Sequence, residues 1–283
     1  MKNPNSLSEQ LKSGFALIII PSTLILSALL FYFVLGNEAN FENGDPVKGH
    51  PLNFLGIVYK GGIIVPVLMS FFIMVITFSV ERFITLSSAN GNGSLATFIQ
   101  EVKVDVKNNN ISSALAKCER QKGSVGNVIQ ASLTHYTSIA NDKGLAKDQK
   151  KQAAQQEIEE ALALEIPVLE KNLTIIASLA STATLVGLLG TVVGMIKAFA
   201  ALATSGAPDA SALANGISEA LINTALGIAT STFAIWSYNY FTSRIDSLIF
   251  YIDEIGFTIT QQISFLHSRN HSVHPSVKEG VEV

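Results

Sequence analysis

The chain has 283 residues, of which 48% are hydrophobic and only 14% charged, with a mean hydropathy of +0.37. Soluble domains carry about 25% charged residues, so a uniformly soluble protein is excluded and membrane-spanning segments are expected. The net charge of −3 argues neither for nor against nucleic acid, and the single cysteine, Cys118, excludes a disulfide framework and an intrachain cysteine metal cluster.

Ser13 to Asn37 holds 25 residues without a charge, enough for a bilayer that requires about 20. Its apolar core, Phe15 to Leu35, exceeds the ~7–15 residues of a signal-peptide core. A retained transmembrane helix over about 14–36 is therefore expected, with Pro21 as a kink point. Gly61 to Val80 supplies 20 more uncharged residues, closed by Glu81 and Arg82, and predicts a second span over 61–83.

Residues 84–172 read as helical and polar. Ile111, Leu115 and Cys118 recur at helical spacing, as do Val125, Val128, Ile129, Ser132 and Leu133. Asn141 to Lys151 is a polar turn, and Gln152 to Leu169 re-enters a helix expected to run directly into the third span, bent at Pro167. Leu173 to Ile196 and Ala220 to Ser243 each hold 24 residues without a charge. They predict spans over 173–198 and 213–241, followed by a C-terminal helix and tail over 246–283.

Basic residues set the expected orientation, because they mark the cytoplasmic side. Arg82 to Lys171 contains eleven of the 19. The pattern places residues 1–13, 82–172 and 243–283 in the cytoplasm, with 37–61 and about 198–212 outside. No P-loop, HExxH, GxSxG or Rossmann fingerprint is present, so no enzyme and no cofactor are expected. His135, His267, His271 and His274 lack metal-ligand spacing, so no metal is expected either.

The last two spans are too polar for simple anchors. Ala177, Ala180, Thr184, Gly187, Thr191, Gly194 and Ala198 form one helix face of small or hydroxylated residues. Gly216, Ala220, Asn223, Gly227, Thr230, Ala234 and Ser237 form another. Such faces let helices pack closely in lipid, and Gly187, Gly190, Gly194, Gly216 and Gly227 are read as packing positions. Packing explains Thr191, Thr224 and Glu219 less well. With a helix start near Ala212, Glu219 lies about 10 Å into the span. A charged carboxylate toward the bilayer centre costs ~2.5–3.5 kcal/mol on insertion scales, so Glu219 must face water, a partner or a neighbouring helix.

At these residues the chain resembles a known family. GLLGTVVGMIKAF (Gly187–Phe199) and GISEALINTALGIA (Gly216–Ala229) closely resemble the paired signature helices of the MotA/TolQ/ExbB proton-channel family. GGIIVPVLMSFFIMVITFSVERF (Gly61–Phe83) resembles its first shared helix, and ISSALAKCERQKGSVGNVIQASL (Ile111–Leu133) its cytoplasmic helices. The resemblance covers about residues 61–245 and is strongest to the ExbB and TolQ branch, ExbB above all.

The resemblance implies an all-α, polytopic membrane protein with three family helices and one extra N-terminal span. Long helices would extend into the cytoplasm, and the assembly would be a homopentameric ring in the bacterial inner membrane with both termini cytoplasmic. It further implies two copies of a single-span ExbD- or TolR-like subunit in the pore, carrying the proton-accepting aspartate. Proton flow would then drive a TonB-like protein or, alternatively, a TolQ-type envelope system. By position, Thr191 and Thr224 match the pore-facing threonines and Glu219 the pore-side glutamate. Residues 1–60 lie outside the resemblance. A non-conducting scaffold that only holds a partner helix is the alternative from a different class.

Overall fold

The computed structural model describes residues 7–47, 49–141, 146–203 and 209–272. Among them the fold is helical, apart from one isolated bridge between Phe41 and Pro51. Contacts divide the chain into two compact units: Met1–Arg82 with Asn172–Tyr240, and Phe83–Lys171 with Phe241–Val283.

The first unit opens with α1 (Leu7–Leu29), which continues through Pro21 and ends in a π-helical turn, Leu30–Leu35. Gly36 to Gly62 is a folded connection, not a plain loop. Asn40 donates from Nδ2 to the carbonyls of Val34 and Leu35, and its Oδ1 accepts from Asn53, tying the connection to the end of the turn. Asn53 caps α2 (Phe54–Tyr59) through Gly56 N–H. Phe31 stacks on Tyr59 with centroids 4.6 Å apart. Phe31, Leu35, Val58 and Val65 form one buried cluster, against which Ile222 and Leu226 pack. Inside α3 (Ile64–Ala89), Ser70 lies 3.4 Å from Thr23 of α1, and Val65, Leu68, Val75 and Phe78 are wholly buried. The extra N-terminal helix is thus an integral part of this unit.

The unit is completed by α8 (Leu173–Leu202) and the first part of α9 (Ala210–Ser272). Four helical stretches are long and apolar enough to cross a membrane: Leu17–Leu35, Ile64–Ala89, Leu173–Leu202 and Ala210–Gln262. At 1.5 Å per residue, α9 with its 63 residues is about 95 Å long, roughly three times a ~30 Å hydrocarbon core. It passes residue 245 without a break.

The second unit contains α4 (Leu95–Lys107), α5 (Ile111–Gln121), α6 (Gly123–Asn141), α7 (Lys147–Leu169) and the remainder of α9. Helix α4 falls within the stretch expected to be helical, but its apolar face was not marked: its N-terminus is capped by Ser94 and Phe98, Ile99, Val102 and Val106 are buried. Elsewhere in the unit Cys118, Val125, Ile129, Leu133, Ile252, Ile255 and Ile259 are also nearly inaccessible. Lys103 pairs with Glu254 at 2.7 Å, and Lys117 with Asp105 at 2.9 Å. The Lys117 ammonium holds the Asp105 carboxyl below its usual range. Residues 142–145 of the expected polar turn, the core of the expected outer loop at 204–208, and the tail from 273 lie outside the described residues.

One expectation is corrected. Helix α7 does not run directly into α8. It ends at Leu169, two residues past Pro167, and Asn172 then adopts a left-handed conformation (φ 65°) before α8 begins. Asn172 donates from Nδ2 to Glu81 Oε2, and the same carboxylate pairs with the buried guanidinium of Arg82. The break is therefore anchored to the Glu-Arg pair of α3.

Two predictions follow from these contacts. Burial pushes the Cys118 thiol up to about 12, so the thiolate that reacts is scarce at neutral pH. Maleimide labelling of the folded protein at pH 7.5 should be at least about 100-fold slower than in denaturant; equal rates would contradict a closed core. Deleting residues 1–55 removes Phe31 and Leu35 from their cluster and should lower the melting temperature of the remaining chain in detergent by several degrees; an unchanged melt would make the extension an appendage.

Candidate functional site

The small faces of α8 and α9 close on each other. Side chains at the glycines would collide with backbone: a Cβ at Gly194 would lie 2.7 Å from Ala220 N, one at Gly216 2.7 Å from Ala198 N, and one at Gly227 2.7 Å from Ala183 O. Gly187 abuts Asn223 O and the Cα atoms of Gly227 and Thr224. At Gly190 the space of the missing side chain is taken by the Asn223 carboxamide. The buried face of α8 runs through Leu173, Ile176, Leu179, Ala183, Gly187, Gly190, Gly194 and Ala198. It is rotated slightly from the stripe read in sequence: Thr184 is exposed and Thr191 only half-buried. The large residues Leu185, Leu188, Leu189, Val192, Ile196 and Phe199 point outward.

A column of polar groups runs along this seam. The Thr191 and Thr224 hydroxyls hydrogen-bond each other across it. Each also has a backbone acceptor on its own helix, Thr191 at Gly187 O (3.4 Å) and Thr224 at Ala220 O (3.1 Å). Further along, Ser231 donates to Ala180 O. Toward the α9 N-terminus, Asn223 is fully buried and donates from Nδ2 to Gly61 O at 2.8 Å. One turn earlier lies Glu219, only 7% exposed, whose Oε1 accepts from Lys197 Nζ at 2.6 Å.

Thr191, Thr224 and Glu219 thus lie along one seam, but they are not all free to face a pore. Glu219 has an intrachain counter-ion that sequence reading did not assign. The signal was available: Lys197 is a lone cation near the end of an otherwise uncharged helix, and Glu219 the one carboxylate between Ala210 and Tyr240 of the partner helix. Asn223 stood in the predicted stripe without a role. Among the described residues no group of three or more His, Cys, Asp or Glu side chains could hold a metal.

Chemically, the arrangement offers hydroxyls, a carboxamide and an ion-paired carboxylate between two helices long and apolar enough to cross a membrane. That is the class of a multi-pass helical membrane protein carrying polar groups in a helix–helix seam. Comparison with known proteins narrows the class. Residues 121–254 match the MotA/TolQ/ExbB proton channel family. The Tol-Pal system protein TolQ of Pseudomonas aeruginosa is 32% identical over 142 residues, covering 48% of this chain and 62% of the relative. The biopolymer transport protein ExbB of Xanthomonas campestris is 29% identical over 121 residues (42% and 48%), and that of Helicobacter pylori 42% identical over 80 residues (28% and 55%). The matched stretch spans about half to three-fifths of the length of these relatives.

The ion pair yields a prediction. Removing Lys197 leaves a mostly buried carboxylate uncompensated, and because the lysine is half exposed the cost is discounted to about 1–3 kcal/mol. Lys197→Met should therefore lower unfolding stability in detergent, and adding Glu219→Gln should restore most of the loss. Equal stability of Lys197→Met and the native chain would show that the pair contributes nothing.

Proposed function

We propose that this chain is the multi-span subunit of a proton-driven machine in the bacterial inner membrane. It would form a homopentamer, with α8 and α9 around a pore that holds two copies of an ExbD- or TolR-like single-span subunit. The output would be energy for TonB-dependent outer-membrane transport. The observation that carries this reading is the polar column Thr191–Thr224–Asn223–Glu219, held at membrane depth within the very segment that matches the proton channel family. Thr191, Thr224 and Glu219 are the groups proposed to line the proton path, and the glycines the groups that let their helices close.

Further observations support parts of this reading. The excess of basic residues between Arg82 and Lys171 favours a cytoplasmic location for the second unit. Its core of conventional aliphatic residues and its ion pairs suit water rather than lipid. A helix about 95 Å long must leave the hydrocarbon somewhere along its length if it crosses at all. The outward row Leu185, Leu188, Val192 and Ile196 is apolar enough for lipid or for a neighbouring copy.

A second reading has its own support. The TolQ relative aligns over 142 residues at 32% identity, against 121 at 29% for one ExbB, which favours keeping a role in a Tol-Pal-like envelope system in view. Complementation separates the two: restored growth on a TonB-dependent nutrient supports the first, and restored detergent resistance of the envelope the second.

The proton path itself is tested by Thr191→Val combined with Thr224→Val, which keeps shape and removes both hydroxyls. In vesicles containing the single-span partner, proton flux should fall at least about tenfold, an energetic loss of about 1.4 kcal/mol or more, while oligomer size and partner binding stay unchanged. Full flux in the double variant would sink the polar-pathway reading and leave the scaffold alternative.

A further inference from the structure

The turn that joins α2 to α3 meets the polar column at two consecutive residues. Gly61 presents its carbonyl to Asn223 Nδ2 at 2.8 Å, a hydrogen bond buried from solvent. Gly62 lies directly under the Glu219 carboxylate: a Cβ there would come within 2.5 Å of Oε1 and 3.0 Å of Cδ. Gly62 also has φ +76°, a conformation that favours glycine. Two independent requirements thus exclude a side chain at this position, and one of them is the carboxylate itself.

The turn is not free to move away. Gly61 N–H donates to Val58 O and Gly62 N–H to Tyr59 O, so the turn is the continuation of α2. Tyr59 is clamped by Phe31 and Phe41. Lys60, beside the turn, is occupied elsewhere: its Nζ donates to Val47 O at 2.8 Å and lies over the Phe41 ring. Among the described residues, the cation paired with Glu219 is Lys197, at 2.6 Å. The orientation of Asn223 is equally determined. Its Nδ2 must face the Gly61 carbonyl, which leaves Oδ1 buried and without a donor among the described residues. An orphaned acceptor costs about 1–3 kcal/mol, so the carboxamide is retained here at a cost that packing alone does not justify.

We propose that the Gly61–Gly62 turn, keyed to α9 by Asn223, is the seat that positions the Glu219 carboxylate against Lys197. Asn223 and Gly62 are positioning residues of the site. The connection formed by residues 36–63, together with the extra N-terminal helix that clamps it, is then part of the working site and not a peripheral addition. This inference rests on the reading that Glu219 belongs to the proton path, but its geometry is testable apart from that reading.

The test uses a membrane-permeant carbodiimide, which joins a carboxylate and an amine only when they touch. The full-length chain in detergent or lipid vesicles is treated, and cross-linked peptides are quantified by mass spectrometry. Lys103–Glu254, 2.7 Å apart in the other unit, is the internal control. In the native chain both the Lys197–Glu219 and the Lys103–Glu254 links should form. In Gly62→Ala and in Asn223→Ala the first should fall at least tenfold relative to the second. An unchanged ratio in both variants overturns the proposal. If Gly62→Ala loses both links through misfolding, the milder Asn223→Ala decides. Proton flux measured in vesicles that also contain the single-span partner keeps the two claims separate: the predicted cross-linking with no flux from the native chain and its partner refutes the channel reading and leaves the seat standing.

Discussion

Close approach of two helix backbones is the constraint on which the first unit depends. In hydrocarbon there is no hydrophobic reward for bringing helices together, so association relies on tight packing and on polar groups finding partners. Helices α8 and α9 meet this requirement by having almost nothing between them. Gly187, Gly194, Gly216 and Gly227 let backbone touch backbone. Only at that separation can the short side chains of Thr191 and Thr224 reach across the seam to each other, and only there can Asn223 fill the space left by Gly190. The same closeness brings Lys197 to Glu219. The polar column is therefore a consequence of the glycines. A single bulky residue in the seam would remove the hydroxyl pair and the ion pair together.

Helix α9 changes character along its length. Its first half buries Gly216, Ala220, Asn223, Gly227 and Ala234 and exposes Leu221, Ile228, Ile235 and Trp236. Its second half buries Ile245, Leu248, Ile252, Ile255 and Ile259, and its charged residues include Glu254, paired with Lys103. The first half hides small and polar groups and turns large apolar ones outward; the second buries a row of large aliphatic residues, with Phe250 and Phe257 still exposed. The change falls near the division between the compact units, at Tyr240 and Phe241. Lipid is as apolar as leucine, so burying leucine in a membrane gains little, whereas burying it in water drives folding.

The all-helical character and the four long apolar segments were legible because both depend on local composition over about 20 residues. The glycine positions were legible because their spacing repeats with the helix. The break between α7 and α8 was not. It depends on Asn172 taking a left-handed conformation, and nothing local demands that; its anchor, Glu81, lies 91 residues away in sequence. The buried face of α4 was not marked because its apolar positions, Phe98, Ile99, Val102 and Val106, are diluted by charges that a hydropathy reading averages over. The folded connection between the first two spans depends on asparagine hydrogen bonds, Asn40 to Val34 and Leu35 and Asn53 to Asn40, which have no periodicity to detect.

Glu219 shows most clearly what a one-dimensional reading leaves out. Seen alone, a carboxylate some distance into an apolar helix demands an explanation from outside the chain: water, a proton or a partner. In the fold it has a cation from α8 and a glycine turn from α3's N-terminal edge, both within the same compact unit. Insertion of the bare charge is costly, but insertion of a paired charge costs much less, because the two fields largely cancel beyond a few ångströms. The pair is also asymmetric, since the lysine side chain is 53% exposed and the glutamate side chain 10%. Whatever approaches this site from outside meets the ammonium first and the carboxylate only after displacing it. The chemistry of the site is therefore set by two residues separated by 22 positions, and by the backbone turn that keeps them in contact.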